Sequence, residues 1–420
     1  MNIVKREILE ELIPWLGEKK CLIIKGARQT GKTTLLNLLK KNMTDQGKKV
    51  IYFSIDQEID NPIFKNPRFL LRFLKEQENI DENQFCYLML DEFQYIQSPG
   101  MYLKVLFDLS SDYIQVIATG SSALEISQEK EFLTGRKIEF ILDRFSFREY
   151  LNCRSSYNYS YQWKIGEPID DLKAFYQIYR EDLEHHFLAY LNWGGYPEIS
   201  LMTSIKKKEI ILKELLSTYI QKDVSDFLKI SNISGFNKLV IYLGTQTGNL
   251  VNVNELANTL GLDNRTIYSY LDILKHTFIF EFVSPFFTNK RKELSKMPKV
   301  FANDMSIVHY ATKAFYSEYR MIPGNLIENF VFIHLKKNDT LNFYRTNSGA
   351  EIDFLIQQHQ FIIPIEVKFR KKVSTPVIFK NFSKNYSISH SIILSQDTIK
   401  QEQNVYFIPV PLLAFINIVN

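Results

Sequence analysis

The stretch Lys25-Gly26-Ala27-Arg28-Gln29-Thr30-Gly31-Lys32-Thr33-Thr34 decides how the first third of the chain is read. It leaves the apolar run Cys21-Leu22-Ile23-Ile24 and enters Leu35-Leu36-Asn37-Leu38-Leu39, a good opening for a helix. G-x-x-x-x-G-K-T between a buried strand and a helix is a phosphate-binding loop. Gly26 and Gly31 let the backbone bend and approach a polyphosphate closely. The loop amides, those of Arg28, Gln29, Thr30 and Thr34 included, point at the anion together with the helix N-terminus. Lys32 sets a point charge on the terminal phosphates, and the Thr33 hydroxyl is placed to ligate Mg²⁺.

Around this loop stand 420 residues, too many for one ordinary domain. A hydrophobic share of 45% with 23% charged residues is that of a globular protein. The formal charge of +4 permits nucleic-acid binding without arguing for it. Cys21, Cys86 and Cys153 show no metal-ligand spacing, and the first two sit in apolar strand patterns as small hydrophobes. A reduced, cytoplasmic setting fits them. The opening Met1-Asn2-Ile3-Val4-Lys5-Arg6-Glu7 lacks the apolar segment of a leader, and no uninterrupted apolar run could cross a bilayer, so no membrane is expected.

Residues 3–16 carry apolar positions at helical spacing, with Pro14 ending or kinking the helix near Trp15. After the loop, 48–56 reads as a strand and 67–77 as a helix with Pro67 in its first turn. In Cys86-Tyr87-Leu88-Met89-Leu90-Asp91-Glu92 an apolar run leads to two adjacent carboxylates. That is a strand buried on both faces whose carboxyl end opens on a site. Downstream of a phosphate-binding loop, the first acid of such a pair, Asp91, holds the Mg²⁺ shell, and Glu92 is placed to polarise the attacking water. A further buried strand, 114–122, ends in hydroxyls. Beside the Asp91 strand, its Thr119 or Ser121 could sense the γ-phosphate or hold the water. Ser121 or Ser122 could equally cap the next helix.

This pattern resembles an AAA-type ATPase. More narrowly it resembles a bacterial and archaeal family that joins such an ATPase to a C-terminal domain of long-unassigned function. The resemblance is carried by residues 26–34, by Leu-Asp-Glu-Phe-Gln at 90–94, by Gly-Ser-Ser-Ala-Leu at 120–124 and by Leu-Thr-Gly-Arg at 133–136. Phe145-Ser146-Phe147-Arg148-Glu149-Tyr150 also matches, with one departure at Arg144, where the pattern has proline. The resemblance implies ATP as the nucleotide, since no guanine-reading motif is present. It also implies an arginine that faces nucleotide at Arg136, in cis or from a neighbouring copy, where it would stabilise transition-state charge. The other reading of Arg136 is a solvated member of the basic pair Arg136-Lys137.

From 151 to 235 the composition changes. A Ser-, Asn- and Tyr-rich loop at 152–161 precedes helical patterns at 171–180 and 184–191. Trp193-Gly194-Gly195-Tyr196-Pro197-Glu198 is a structural turn that the same family carries. A helix over 206–228 begins with three lysines and carries Asp223 and Asp226 near its end, a charge order opposed to the helix dipole. Residues 236–288 read as three helices and a strand, which resembles a winged helix. The third helix offers Asn264, Arg265, Tyr268 and Tyr270, and Lys290-Arg291-Lys292 supplies a wing-like basic patch. Such a module serves protein packing as readily as base reading.

The last third holds a second constellation. Gly349-Ala350-Glu351-Ile352-Asp353-Phe354-Leu355-Ile356 reads as a strand with Glu351 and Asp353 on one face. In the next strand, 361–368, Glu366 and Lys368 share a face. Asp followed by Glu-x-Lys on the neighbouring strand resembles the PD-(D/E)xK nuclease superfamily, which often adds an acid from a preceding helix, here Glu328. The resemblance implies Mg²⁺ or Mn²⁺ at Asp353, Glu366 and Glu328, with Lys368 orienting water or stabilising developing charge. Arg370, Lys371 and Lys372 would suit a polyanion. The other readings are a binding remnant that no longer cuts, and a solvated cross-strand ion pair.

The expected architecture is α/β. A parallel-sheet AAA-type P-loop domain (1–150) is followed by a helical region (151–235), a winged-helix-like domain (236–300) and an α/β PD-(D/E)xK-like domain (301–420). The expected function is an ATP- and Mg²⁺-dependent switch or motor coupled to the nuclease-like domain in a DNA-related process. The alternative is a nucleotide-binding adaptor that holds a protein or nucleic-acid partner without cutting it. Candidate partners are DNA, a protein and further copies of the chain.

Overall fold

The computed structural model describes residues 4–80, 83–121, 135–219, 230, 232–287, 296–338 and 341–418. They form two compact units, one from the described residues of 1–145 and 276–278, the other from those of 146–220, 230–275 and 279–420.

In the first unit β1 (Cys21–Lys25), β2 (Lys49–Ser54), β3 (Cys86–Asp91), β4 (Ile114–Gly120) and β5 (Lys137–Ile141) make a parallel sheet in the order β2-β3-β4-β1-β5. Alternate residues of β1 face opposite layers, as a strand requires. Cys21 and Ile23 join Leu70 and Leu74 of α3 (Pro67–Gln77) and Tyr102, Leu103 and Leu106 of α4 (Pro99–Ser110). Leu22 and Ile24 join Leu12 of α1 (Ile8–Leu12) and Leu35, Leu36 and Leu39 of α2 (Lys32–Asp45). Helices cover both faces, which is why the strands read as unbroken apolar runs. The expected helix over 3–16 is shorter in the structure. Pro14 falls in a 3₁₀ turn, Ile13–Trp15, and the segment before α1 carries Arg6 into the core instead. Arg144, where proline was expected, is buried. Residues 122–124 and 133–134 of the family pattern lie outside the described residues.

The second unit opens with α5 (Phe147–Arg154), so part of the expected loop at 152–161 is helical. A capping box starts this helix. Ser146 Oγ accepts from the Glu149 amide at 3.1 Å, and Glu149 accepts from the Ser146 amide at 3.0 Å. After β6 (Trp163–Lys164), α6 (Ile169–Trp193) is one helix where the sequence suggested two. Arg180 and Glu184 pair across a single turn at 2.8 Å between the two patterns. Gly194 adopts φ +72°, and a Cβ there would lie 1.9 Å from Asp304 Oδ1, so the Gly-Gly turn wraps a buried acid. Then come α7 (Pro197–Leu201) and α8 (Ile205–Thr218); Asp223 and Asp226 lie outside the described residues.

Helices α9 (Ile233–Thr245), α10 (Val253–Leu260) and α11 (Asn264–His276) lead to the antiparallel pair β7 (Phe280–Val283) and β8 (Lys299–Ala302). Residues 290–292, the expected basic wing, lie outside the described residues. Following α12 (Met305–Thr312) and α13 (Gly324–Leu335) is a six-stranded sheet. It comprises β9 (Leu341–Arg345), β10 (Glu351–Gln358), β11 (Phe361–Lys368), β12 (Ser391–Ser395), β13 (Lys400–Glu402) and β14 (Val405–Pro409) in the order β13-β14-β12-β11-β10-β9. The strands β9, β10 and β11 form an antiparallel meander, and β12 returns parallel to β11 through α14 (Val377–Phe382). On one face Phe379 and Phe382 of α14 pack on Ile352, Leu355 and Ile393. Elsewhere in the unit Phe332 of α13 stacks on Phe301, which in turn meets Phe354 of β10.

Candidate functional site

The loop between β1 and α2 is shaped for a polyanion. Gly26 runs so close to the chain leaving β5 that a Cβ would sit 2.3 Å from the Leu142 carbonyl oxygen, so no side chain fits there. Gly31, at φ +92°, starts α2 as its N-cap without any side-chain cap, which leaves the first amides of the helix for a ligand. Lys32 is buried, and its ammonium is held within the loop by the carbonyls of Gly26 at 3.1 Å and Ala27 at 3.0 Å. Thr33 and Thr34 are exposed on the first turn, while Thr30 is buried and bonds the Ala27 carbonyl at 3.0 Å. Gln29 takes φ +59° in the bend.

Arg6 is the residue here that sequence reasoning missed. Its buried guanidinium donates to the Thr30 carbonyl at 2.8 Å and to the Asp143 carbonyl at 2.6 Å, over the ring of Phe145. It ties the N-terminal segment, the phosphate loop and the exit of β5 together. A lone arginine before a short helix carries no motif that could have announced this.

The carboxyl end of β3 stands two strands from β1. Asp91 is 1% exposed and accepts hydrogen bonds from neutral donors on both neighbouring strands: Tyr52 of β2 at 3.0 Å and Thr119 of β4. Thr119 therefore bears on Asp91 rather than standing free to meet a phosphate. Ser121, the other hydroxyl singled out, is 2% exposed and its Oγ has no hydrogen-bond partner among the described residues. Glu92 sits in the left-handed region at φ +52°, a conformation that costs a non-glycine residue on the order of 1 kcal/mol. Its carboxylate is held by the Gln94 amide, whose oxygen accepts from the Ser121 amide at 3.2 Å.

Arg136 lies elsewhere. Its carbonyl accepts from the Cys21 amide at 2.9 Å, and its side chain pairs with Asp108 at 3.0 Å. It therefore sits at the amino end of β1, one strand length, on the order of 13 Å, from the phosphate loop. That corrects the expectation of an arginine facing nucleotide in cis.

Residues 18–151 match the family model of an AAA domain. The first unit is an AAA-type P-loop ATPase domain. Residues 184–318 match a domain of unknown function (DUF8612), and 323–413 match another (DUF4143). Over its length the chain is similar to an uncharacterized protein of Haemophilus influenzae, 24% identical over 377 residues that cover 87% of each. It is also similar to the uncharacterized protein MJ1544 of Methanocaldococcus jannaschii, 26% identical over 84% of this chain and 75% of the relative. Among solved structures it is similar to the Aeropyrum pernix Orc1 protein in complex with DNA, at 14% identity and a TM-score of 0.30, over 73% of this chain and 90% of that one.

Outside the AAA domain, the acids of the C-terminal sheet do gather. The pairing of β10 with β9 shifts register between Ile352 and Leu355, the stretch that holds Asp353. Asp353 is buried, and its Oδ2 accepts the Val367 amide of β11 at 2.7 Å. Glu351 meets Lys299 and stands 3.7 Å from Arg345. Glu366 is 3% exposed; one of its oxygens pairs with Lys368, and the other is buried without a hydrogen-bond partner. Glu328 of α13 stands 3.7 Å from Lys299. Burial first, and then the neighbouring Asp353, push both Glu328 and Glu366 up to about 7, and burial raises Asp353 as well. Against the cost of their burial, the facing carboxylates hold Lys368 and Lys299 above the usual lysine range.

A nucleotide fits the first site. The glycine cradle, the uncapped helix start and Lys32 suit a polyphosphate, and the hard oxygens of Thr33 and Asp91 suit Mg²⁺. The second site does not fit a divalent ion as folded. Among the described residues, no three His, Cys, Asp or Glu side chains come together closely enough to hold one. Of the expected ligands, Glu328 and Glu366 face lysine, and Asp353 accepts the Val367 amide.

On α11 the four expected contact residues divide. Tyr270 is core, its hydroxyl on the Asn232 carbonyl at 3.3 Å, and Asn264 locks onto Asn254 of α10 at 2.8 Å. Arg265 and Tyr268 are exposed. All three cysteines are free thiols, pushed up by burial to about 12 for Cys21 and about 11 for Cys86 and Cys153. No helix among the described residues is long and apolar enough to cross a membrane.

Proposed function

We propose that this protein is an ATP- and Mg²⁺-dependent ATPase that works as a switch, its second unit engaging DNA in the cytoplasm. The observation that carries the reading is the pairing, in the AAA domain, of an intact phosphate cradle with a buried Asp91 whose hydrogen-bond donors among the described residues are neutral hydroxyls and an amide. Its charge is thereby kept for a cation. Lys32 and the α2 amides would bind the terminal phosphates, and Thr33 and Asp91 would hold Mg²⁺, which spreads the β- and γ-phosphate charge when bound. Glu92 would take the proton of the attacking water, with Gln94 fixing its carboxylate and Ser121 offering a free hydroxyl beside it. Arg136 could reach a nucleotide only from a neighbouring copy of the chain.

In the second unit we read 151–235 as a helical linker, 236–300 as winged-helix-like and 301–420 as a PD-(D/E)xK-like domain. Three helices followed by an antiparallel pair support the first boundary of the winged helix, and the helix, meander, helix and parallel strand support the last domain. Arg265 and Tyr268 on α11, with Arg370, Lys371 and Lys372 exposed after β11, supply the cationic and stacking groups a DNA partner needs. The second reading, a nuclease, is favoured by the meeting of Asp353, Glu366 and Lys368 on adjoining strands. The lysine pairing of those acids favours recognition over cutting.

The test is phosphate release from Mg²⁺-ATP by the full chain and by Lys32→Ala, with and without single- and double-stranded DNA. Hydrolysis that DNA alters, and that Lys32→Ala abolishes, is expected. Absence of hydrolysis by the unaltered chain would leave the adaptor reading in its place. Supercoiled DNA incubated with Mg²⁺ or Mn²⁺ reads the nuclease separately; cutting lost in Asp353→Ala would establish it.

A further inference from the structure

Lys299 belongs to no acid motif, yet it is the most deeply buried cation among these carboxylates, 4% exposed. It opens β8 and is fixed by the backbone around it. The Val251 amide bonds the Pro298 carbonyl at 2.8 Å, and the Gly248 amide bonds the Val300 carbonyl at 2.8 Å. The side chain lies over the Phe343 ring and ends between Glu351, which it touches directly, and Glu328 at 3.7 Å. Gly248 closes the site from α9's exit, where a Cβ would come within 3.2 Å of Glu328 Oε2. A buried ammonium held by two carboxylates does the electrostatic work of a bound cation.

We propose that Lys299 is the resident cation of the C-terminal acid cluster. Its ammonium engages Glu328, one of the three expected ligands, from beside Glu351, so that the folded chain binds no divalent ion there. Three further observations agree. The acids divide between two lysines: Glu351 and Glu328 face Lys299, while Glu366 faces Lys368. Asp353 spends one oxygen on the Val367 amide, which leaves it a poorer ligand. The buried Glu366 oxygen without a partner remains as an acceptor that a second cation could claim if Lys299 left. A dication beside an ammonium held by two carboxylates is repelled. The inference rests on the geometry of the cluster and not on ATP hydrolysis by the AAA domain.

The probe is Mn²⁺ added to the nucleotide-free full chain, with bound and free ion separated by the electron paramagnetic resonance of free Mn²⁺. The unaltered protein and Asp353→Asn are expected to give superposable isotherms. Lys299→Met should gain one site per chain with affinity at least about tenfold above that background, and Lys299→Met combined with Glu328→Gln should lose it again. Thermal melting should rise with Mn²⁺ in Lys299→Met alone. Should Lys299→Met fail to fold, Lys299→Met/Glu351→Gln removes both members of the closest pair and leaves Glu328, Asp353 and Glu366 for the ion. A site in the unaltered chain that Asp353→Asn abolishes would overturn the proposal, and so would a folded Lys299 variant that gains none. Phosphate release measured on the same samples reads the AAA domain independently. Its absence throughout would sink the ATPase reading and leave the Mn²⁺ result standing.

Discussion

Asp91 and Glu366 are both acids on apolar strands, 1% and 3% exposed, yet their surroundings treat the charge in opposite ways. Around Asp91 the donors are Tyr52, Thr119 and the Glu92 amide, all neutral. Around Glu366 and its neighbours Glu328 and Glu351 the partners are Lys368 and Lys299. Neutral donors orient a carboxylate and leave its charge to attract a cation. Lysines cancel the charge within the fold. A buried ion pair gains little stability over apolar packing, because desolvation offsets the attraction, so the lysines make the second cluster self-sufficient more than they make it strong. The same residue types thus give a site poised for a ligand and a site already filled.

The largest effect should come from Glu92→Gln. It preserves shape and the contact to Gln94 but removes the base, so hydrolysis should fall by roughly 10²- to 10⁴-fold. Binding of a fluorescent ATP analogue should change little. Equal loss of binding and turnover would mean that Glu92 shapes the loop rather than the water, and the contrast drawn for Asp91 would lose its catalytic meaning. Arg6→Met comes next. It withdraws a buried charge from two carbonyls and leaves both without that donor, for which about 2–4 kcal/mol of stability is expected to go. Denaturant unfolding with and without nucleotide checks it. Nucleotide should rescue part of the loss, since binding re-imposes the loop geometry that Arg6 holds. No rescue would show that Arg6 supports the core and not the loop.

How much of this could be read beforehand follows the same division. The phosphate loop and β3 were legible because their chemistry is local: one glycine-rich turn, one strand ending in acids. The strand alternation of β1 then fixed both layers of the core. Tyr52 and Arg6 were not legible, because each reaches the site across the sheet or from a distant segment, and a single side chain carries no periodicity. In the second unit the acid pattern was visible, but its meaning was not. In an alternating sequence the register shift between Ile352 and Leu355 cannot be seen, nor that Asp353 takes the Val367 amide while Glu351 takes Lys299. Lys299 stands 29 residues before Glu328 in sequence and meets it only through the fold. For Arg136, its position at the strand's start, not its type, sets it far from the loop of its own chain.

A smaller effect tests the filled site through pH. Burial, and after it Asp353, raise Glu366 to about 7 in the folded chain, above the value of about 4.3 for an unfolded glutamate. The folded state therefore holds its proton more tightly. Its contribution to stability is fully present below about pH 4.3 and is lost as pH rises toward about 7. Glu366→Gln mimics the protonated acid at every pH. Between pH 5 and 8 the unaltered chain should lose about 1–2 kcal/mol that the variant keeps. Unfolding curves at several pH values, without nucleotide or metal, measure this. Parallel pH slopes for the two proteins would mean that Lys368 neutralises Glu366 completely in the fold.

The finest test of the contrast is Tyr52→Phe. Tyr52 is half-buried on β2, and its hydroxyl gives Asp91 the 3.0 Å bond that Thr119 does not supply. Losing it removes one neutral donor without altering charge, packing or the Thr119 contact. If such donors serve to orient Asp91, the carboxylate becomes freer to turn and the Mg²⁺ requirement should rise about fivefold, the equivalent of about 1 kcal/mol for one hydrogen bond. Turnover at saturating Mg²⁺ should stay within a factor of about two, because Glu92 and Lys32 are untouched. A fall in turnover with an unchanged Mg²⁺ requirement would assign Tyr52 to the chemical step. A lowered requirement would mean that the hydroxyl competes with the cation for the same oxygen, and then the hydroxyls around Asp91 would be acting as Lys299 does in the other cluster, only more weakly.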